Sequence, residues 1–76
     1  MIRVPDGLTA GVLTEVKNVR RLGYTSQLQD FSYYATQTGR RFDLVVRENT
    51  VLTQELQGVV DMTGSPINLI RELPAL

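Results

Sequence analysis

The chain contains no cysteine, no histidine and no tryptophan. Without cysteine, disulfides, thiol nucleophiles and thiolate metal sites are excluded. Without histidine, imidazole general bases and the usual zinc ligand sets are excluded as well. A bound metal would therefore be a hard cation that prefers oxygen ligands, such as Mg²⁺. No apolar run approaches the roughly 20 residues that cross a bilayer, so no membrane partner is expected.

The length of 76 residues and a hydrophobic content of 42% are those of one small globular unit. We therefore expect a single domain over residues 1–76, short of the size at which a core is comfortably stable alone. No internal repeat and no low-complexity segment divides the chain.

Lysine is scarce, and the charged residues are unevenly distributed along the chain. Lys17 is the only lysine, and the other seven basic residues are arginines. Residues 1–47 hold seven basic and four acidic residues, a net charge of +3, whereas residues 48–76 hold one basic and four acidic residues, a net charge of −3. The basic half would suit a polyanionic partner. An ordinary solvated surface explains the charge alone equally well.

Residues 11–19 are rich in valine and threonine and nearly alternate apolar with polar, which predicts a β-strand. Because strand side chains alternate between faces, Glu15 and Lys17 should project from one side and flank an inward-turned Val16. An acid and an amine at that spacing can hold a divalent metal and a phosphate-bound water together. From spacing alone, a solvated same-face ion pair is the commoner meaning of such a pair.

Residues 1–5 are a candidate for a short strand in which Ile2 and Val4 share a face. Pro5 has no N–H to donate to a neighbouring strand, so the strand should end there. Asp6-Gly7 is a turn dipeptide, and the loop up to residue 11 has the length of a hairpin connection. A hairpin here would bring Asp6 beside the strand that carries Glu15. Asp6 could also serve only the turn.

Ser26 and Gln29 have the spacing of a capping box, which predicts a helix from about residue 26 to residue 38 with Gly39 after its end. Its apolar stripe is Leu28, Phe31 and Ala35. Gln27 lies at the edge of that stripe and borders the core, and Tyr33 and Tyr34 are expected to be packing residues.

Residues 41–47 predict another strand, with Phe42, Leu44 and Val46 on one face. The spacing of Leu52, Leu56, Val59 and Val60 predicts a second helix, capped by Thr53 and ending near Gly64. Residues 67–71 are a candidate for a last strand. The order β-β-α-β-α, with this possible final strand, describes an α/β layer in which the helix after the second strand permits a right-handed parallel crossover.

Asp6 preceded by proline, Glu15-Val16-Lys17 on the next strand and a helix with Gln27-Leu28 resemble the PD-(D/E)xK nuclease superfamily. The longer pattern, which continues through residues 42–47, resembles the restriction-endonuclease-fold toxin domains at the C-termini of bacterial polymorphic toxins. These are effectors of contact-dependent, Rhs-type and type VI secretion systems. The resemblance covers about residues 2–60. That fold has a further helix and strand before the Asp-bearing strand. This chain is expected to lack both and to be the C-terminal part of a larger effector.

The resemblance implies a Mg²⁺- or Mn²⁺-dependent endonuclease. Asp6 and Glu15 would be the metal ligands, and Lys17 would orient the attacking water and neutralise charge in the transition state. Gln27 would hydrogen-bond the scissile phosphate or its water. The candidates for contacts to backbone phosphates are Arg20, Arg21 and Arg41. Because two carboxylates would crowd one region, replacing either is expected to abolish cleavage and to relieve repulsion, which would raise stability slightly.

The implied partners are a nucleic acid, with DNA favoured over RNA, and a cognate immunity protein. The implied location is the target-cell cytoplasm, reached by secretion or injection. An unpaired sheet edge would favour self-association or a partner chain. Two other functions stay open: a non-catalytic binding or structural module completed by a partner chain, and a DNA-repair nuclease of the same fold. The second would need a broader basic surface than this chain, with its net charge of zero, provides. In the helix, Phe31 stands where related nucleases often have tyrosine, which leaves Tyr34 for any hydroxyl role.

Overall fold

The computed structural model describes residues 3–75. Its main sheet contains four strands, β1 (Gly7–Leu8), β2 (Val12–Lys17), β4 (Arg41–Arg47) and β6 (Ile67–Leu73), in the spatial order β1-β2-β4-β6. A two-stranded pair is formed by β3 (Arg21–Leu22) and β5 (Val51–Leu52). The two helices are α1 (Ser26–Thr38) and α2 (Gln54–Asp61). This is the α/β class that the sequence predicts.

The sheet is mixed. β1 is antiparallel to β2, whereas β2, β4 and β6 are mutually parallel. The connections β2-α1-β4 and β4-α2-β6 both step in the same direction across the sheet, and right-handed crossovers of that kind place both helices on one face. None of the helices among residues 3–75 is long and apolar enough to cross a membrane.

The core lies between the helices and this face of the sheet. Phe31 of α1 meets Phe42 of β4 edge to face, with ring centroids 6.2 Å apart. Around this pair pack buried aliphatic side chains from both layers: Leu13, Leu28, Leu44, Val46, Leu56 and Ile67. Phe42, Leu44 and Val46 share one face of β4, as predicted, and the structure shows that this face is buried in the core. The opposite face of the sheet carries half-buried or exposed Val12, Val16, Val45 and Ile70.

The predicted inward turn of Val16 is wrong. Val16 is 40% exposed, whereas its neighbour Glu15 is 4% exposed. Leu13 and Glu15 lie on one face of β2, and Val16 lies on the other. Leu13 is completely buried, so the face that it shares with Glu15 is the one turned toward α1. Alternation correctly grouped Glu15 with Lys17 but did not show which group faces the core.

The predicted first strand is also misplaced. Residues 3–5 are not in a strand, Val4 is 80% exposed, and Ile2 lies outside the described residues. The hairpin forms later, because Gly7 pairs with Thr14, and the chain reverses where the Thr9 N–H donates to the Val12 carbonyl at 2.8 Å. Gly7 is thus a strand residue and not a turn residue.

Helix α1 has its predicted span but a different cap. Thr25, with φ −67° and ψ 164°, is the N-cap, and its hydroxyl accepts from the Leu28 N–H at 3.3 Å. Ser26 is already helical. Gly39 ends the helix at φ 67°, the left-handed conformation that glycine adopts without strain.

Helix α2 is shorter than predicted, although its cap Thr53 is correct. It ends at Asp61, before Gly64, and Leu52 belongs to β5. The last strand extends to Leu73 and is parallel to β4. The β3–β5 pair was not predicted, since two-residue strands carry no readable periodicity.

Candidate functional site

The hairpin places Asp6 next to Glu15. The β1–β2 register joins Gly7 to Thr14 and Leu8 to Leu13, so one step further sets Asp6 opposite Glu15. One hydrogen bond links the two residues directly, and a second links Asp6 to Val16, the residue after Glu15. The Asp6 N–H donates to Glu15 Oε1 at 3.1 Å, and the Val16 N–H donates to Asp6 Oδ2 at 2.7 Å. Each carboxylate therefore accepts a hydrogen bond from the backbone of the segment that holds the other, which fixes the pair at the start of the hairpin.

Lys17 joins this pair to helix α1. Its ammonium lies 3.1 Å from Glu15 Oε2 and also donates to Gln27 Oε1. Gln27 is the second residue of α1, so the helix begins where β2 ends. The Lys17 side chain is 24% exposed, whereas that of Glu15 is 6% exposed. The lysine thus lies between the interior and the solvent, and the structure brings together all four predicted residues: Asp6, Glu15, Lys17 and Gln27.

The orientation of the Gln27 amide follows from its contact with the lysine. An ammonium group has only donors, so the amide must turn its oxygen toward Lys17. The two N–H groups of the same amide are then directed elsewhere. A neighbouring anion could accept from them.

The three predicted phosphate-contacting arginines separate into two groups. Arg20 and Arg21 are exposed and follow β2 within four residues of Lys17. Arg41 pairs across the strands with Val12, so it lies on the face of the sheet opposite Glu15 and Lys17. The structure does not bring Arg41 into this site.

Arg41 is instead bound to Asp43. Its Nε and Nη2 donate to the two carboxylate oxygens at 2.7 and 2.9 Å, and Asn68 donates to Oδ1 at 3.1 Å. The hydrogen bonds from Arg41 lower the pKa of Asp43, and the one from Asn68 acts in the same direction. The same contact raises the pKa of Arg41. The arrangement is a bidentate ion pair, in which two guanidinium nitrogens meet two carboxylate oxygens. It lies on the face of the sheet opposite the candidate site.

The donor atoms of the site are carboxylate oxygens, the type that a hard divalent cation prefers. Among residues 3–75, no group of three or more Asp, Glu, His or Cys residues is placed to hold a metal. Mg²⁺, however, needs only one or two protein carboxylates, and it completes its shell with water and substrate phosphate oxygens. Asp6 and Glu15 offer two carboxylates, whose oxygens keep lone pairs beyond the hydrogen bonds that they accept.

Two aromatic residues were assigned to the wrong environment. Tyr33 is 68% exposed and Tyr34 is 44% exposed, so neither is a core packing residue. The helical spacing contained the signal for Tyr33, because it follows Phe31 by two residues and therefore turns away from the stripe of Leu28, Phe31 and Ala35. Both tyrosines lie beside a cleft between α1 and the β1–β2 hairpin.

Comparison with known proteins places this chain in a family. The model of the family described as restriction endonuclease fold toxin 7 matches residues 1–56. No curated protein and no solved structure matches the chain. The family match spans both predicted ligands, the lysine, the glutamine and most of the sheet, and it indicates a toxin of the nuclease class. The chain belongs to the restriction endonuclease fold toxin 7 family.

Proposed function

We propose that this chain is a metal-dependent nuclease toxin that hydrolyses phosphodiester bonds of nucleic acid, with DNA favoured over RNA, in the cytoplasm of a competing bacterial cell. The observation that carries the proposal is the contact network of Asp6, Glu15, Lys17 and Gln27. Family membership gives the toxin and the fold, and the network gives residues that suit the reaction.

Asp6 and Glu15 are the proposed cation ligands. Their backbone-mediated hydrogen bonds hold both carboxylates before any substrate arrives, so little reorganisation is needed. When bound, Mg²⁺ or Mn²⁺ would lower the pKa of a water and stabilise the developing negative charge. The burial of Glu15 strengthens its electrostatic interactions relative to those of an exposed carboxylate.

Lys17 is the proposed group that orients the attacking water and neutralises charge on the phosphate. It is held by Glu15 on one side and by Gln27 on the other, which leaves its position defined. An ammonium so placed acts as a point charge toward a phosphate oxygen. The N–H groups of the Gln27 amide are the proposed donors to the scissile phosphate.

The surroundings favour an anion. Helix α1 begins at the site, and its first turn contains no acidic residue, so no side chain of that turn opposes the positive end of its dipole. Arg20 and Arg21 are exposed just beyond β2 and are the proposed contacts to neighbouring phosphates. A strand of nucleic acid would therefore pass from the arginines across the α1 N-terminus.

The proposed protein partner is an immunity protein that neutralises the toxin in the producing cell. An acidic inhibitor surface would suit the basic half of the chain, where the site lies. Self-association also stays a prediction. The sheet face that carries Val16 and Val45 has neither α1 nor α2 against it, so a second copy could pack on its apolar side chains, beside the Arg41–Asp43 ion pair that lies on the same face.

The experiment is incubation of the chain with plasmid DNA and with total RNA, each with Mg²⁺, with Mn²⁺ or with EDTA. We expect cleavage of nucleic acid with either cation and none with EDTA, with DNA cut in preference to RNA. Full activity in EDTA would contradict the proposed role of Asp6 and Glu15. The absence of cleavage of both substrates with both cations would contradict the nuclease proposal.

A further inference from the structure

A cleft of about 570 Å³ lies beside the candidate site, between α1 and the β1–β2 hairpin. Its walls include Arg3, Leu8, Leu13, Phe31, Tyr33 and Tyr34. We propose that this cleft, the base cleft, binds an unpaired nucleobase next to the scissile phosphate, so that the preferred substrate is single-stranded nucleic acid. The inference rests on the proposed nuclease function and specifies the form of its substrate.

The residues that line the base cleft are close along the chain to those of the candidate site. Leu13 and Glu15 are two residues apart on the same face of β2, which separates them by about 7 Å. Phe31 follows Gln27 by one turn of α1, about 6 Å along the helix axis. Pro5, which also lines the cleft, directly precedes Asp6. A base attached to a nucleotide whose phosphate lies at Lys17 would therefore reach the cleft.

The lining matches the chemistry of a nucleobase. Leu13 and Phe31 are buried and form an apolar floor, while the rings of Tyr33 and Tyr34 stand exposed at the side. A base has two apolar faces that stack on aromatic rings and a polar edge that needs hydrogen-bond partners. The tyrosine hydroxyls and the Arg3–Asp30 ion pair, which has a 2.5 Å contact, can supply those partners at the rim.

The wall of the base cleft is held in place before binding. The Arg40 guanidinium lies 5.5 Å from the centroid of the Tyr34 ring. Arg40 Nε in turn donates to the Thr9 carbonyl at 2.7 Å, in the turn of the hairpin. Arg3 ties the segment before β1 to Asp30 of α1. These contacts, from Arg40 to the hairpin turn and from Arg3 to α1, hold the hairpin and the helix at a defined distance across the cleft.

A base within a duplex is stacked on both faces, so it cannot offer a face to Tyr33 unless it is first unstacked, which costs free energy. An unpaired strand offers its bases without that cost. Stacking of this kind tolerates any base, because every base has a π-face. A toxin with such a cleft would favour single-stranded regions and discriminate little among sequences.

The test measures binding separately from cleavage. In EDTA, a fluorescein-labelled oligothymidylate and an abasic strand with the same number of phosphates are titrated with the chain, and anisotropy gives their affinities. We expect the base-bearing strand to bind about 5- to 150-fold more tightly, the range that corresponds to one stacked base. We also expect it to quench tyrosine fluorescence, which is readable because the chain has three tyrosines and no tryptophan. Equal affinity for the two strands would overturn the proposal.

Variants locate the effect. Tyr33→Ala should remove most of the preference for the base-bearing strand, and Tyr33→Phe should keep it, since the ring is retained. Tyr33 is exposed on a helix and alanine is the best helix former, so the fold should persist. Gln37→Ala, exposed on the same helix and outside the cleft lining, is the matched control and should change nothing. An unchanged preference in Tyr33→Ala would overturn the assignment of the cleft.

The two proposals fail in different ways. If the chain cleaves nucleic acid with Mg²⁺ but binds the abasic strand as well as the base-bearing strand, the base cleft is wrong and the nuclease proposal stands. If base-dependent binding is present but neither cation supports cleavage, the nuclease proposal is wrong. Strong displacement of the oligothymidylate by duplex DNA of equal phosphate content would count against the preference for single strands.

Discussion

Replacing Glu15 tests the electrostatic logic of the site without any substrate. The Glu15 carboxylate is buried, accepts from the Asp6 N–H at 3.1 Å and lies 3.1 Å from the Lys17 ammonium. Glu15→Gln keeps the shape and an acceptor for Asp6 but removes the charge that opposes Lys17. Glu15→Ala removes the acceptor and the packed side chain as well.

The magnitude follows from the burial of the two partners. Breaking a fully buried ion pair costs about 3–5 kcal/mol and an exposed pair about 0.2–1 kcal/mol. The Glu15 side chain is 6% exposed and that of Lys17 is 24% exposed, so this pair lies between those limits. We expect Glu15→Gln to lower the free energy of unfolding by about 1.5 kcal/mol. Glu15→Ala should lower it by about 3 kcal/mol, since a hydrogen bond and a buried methylene are lost too.

Thermal unfolding followed by far-ultraviolet circular dichroism, at neutral pH and without divalent metal, measures the effect. In a domain of this size the two losses correspond to a fall in Tm of about 6–12 °C for Glu15→Gln and about 12–24 °C for Glu15→Ala. The sequence alone leads to the opposite expectation, because repulsion between the carboxylates of Asp6 and Glu15 would raise Tm when one is removed; the contact of Glu15 with Lys17 reverses that sign. An unchanged or higher Tm in Glu15→Gln would therefore refute the view that Lys17 is the dominant partner of Glu15.

Three further predictions concern separate parts of the molecule. The folded-state pKa of Asp43 is lowered. The Asp43 carboxylate therefore stabilises the fold at pH values above the ordinary aspartate pKa of about 3.9, and this contribution is lost as the pH falls through the folded-state pKa. Urea unfolding should show Asp43→Asn less stable than wild type at pH 7, with the difference vanishing in strong acid. Thr25→Ala should lower the free energy of urea unfolding by about 1 kcal/mol, whereas Ser26→Ala should have little effect, because only the first removes the cap. The association rate of an acidic inhibitor should fall steeply as the salt concentration rises, and it should also fall in the Arg20→Glu/Arg21→Glu variant. A rate that changes with neither would exclude electrostatic steering to the surface around Arg20 and Arg21.

The long elements were predictable from the sequence because their periodicity is carried by many residues. The stripe of Leu28, Phe31 and Ala35 and the left-handed Gly39 define α1. Phe42 and Leu44 likewise define the buried face of β4. In such segments each local preference agrees with the packing, so single errors do not change the outcome.

The errors fall where one residue decides the structure. Thr25 and Ser26 are both good caps, and only their backbone angles distinguish them. In β2, the pattern groups Glu15 with Lys17 but cannot show that polar residues point inward, since burial of a carboxylate depends on partners distant in sequence. β1 has two residues, and its register follows from hydrogen bonds that involve Asp6.

The candidate site was predicted as a set of residues but not as a geometry. Resemblance supplied Asp6, Glu15, Lys17 and Gln27, and a hairpin was expected to bring the first two together. The link from Lys17 to Gln27 and the position of Arg41 on the far face depend on strand register and on where α1 begins. Neither can be read from spacing.

The measurement that tests the central claim most directly compares two matched variants in the nucleic acid cleavage assay with Mg²⁺. Asp6→Asn removes a proposed ligand, and Asp43→Asn makes the same chemical change on the opposite face of the sheet. We predict that Asp6→Asn lowers the cleavage rate by at least about 100-fold and that Asp43→Asn leaves it unchanged at neutral pH and 25 °C. Retention of most activity in Asp6→Asn, or an equal loss in both variants, would contradict the assignment of the site.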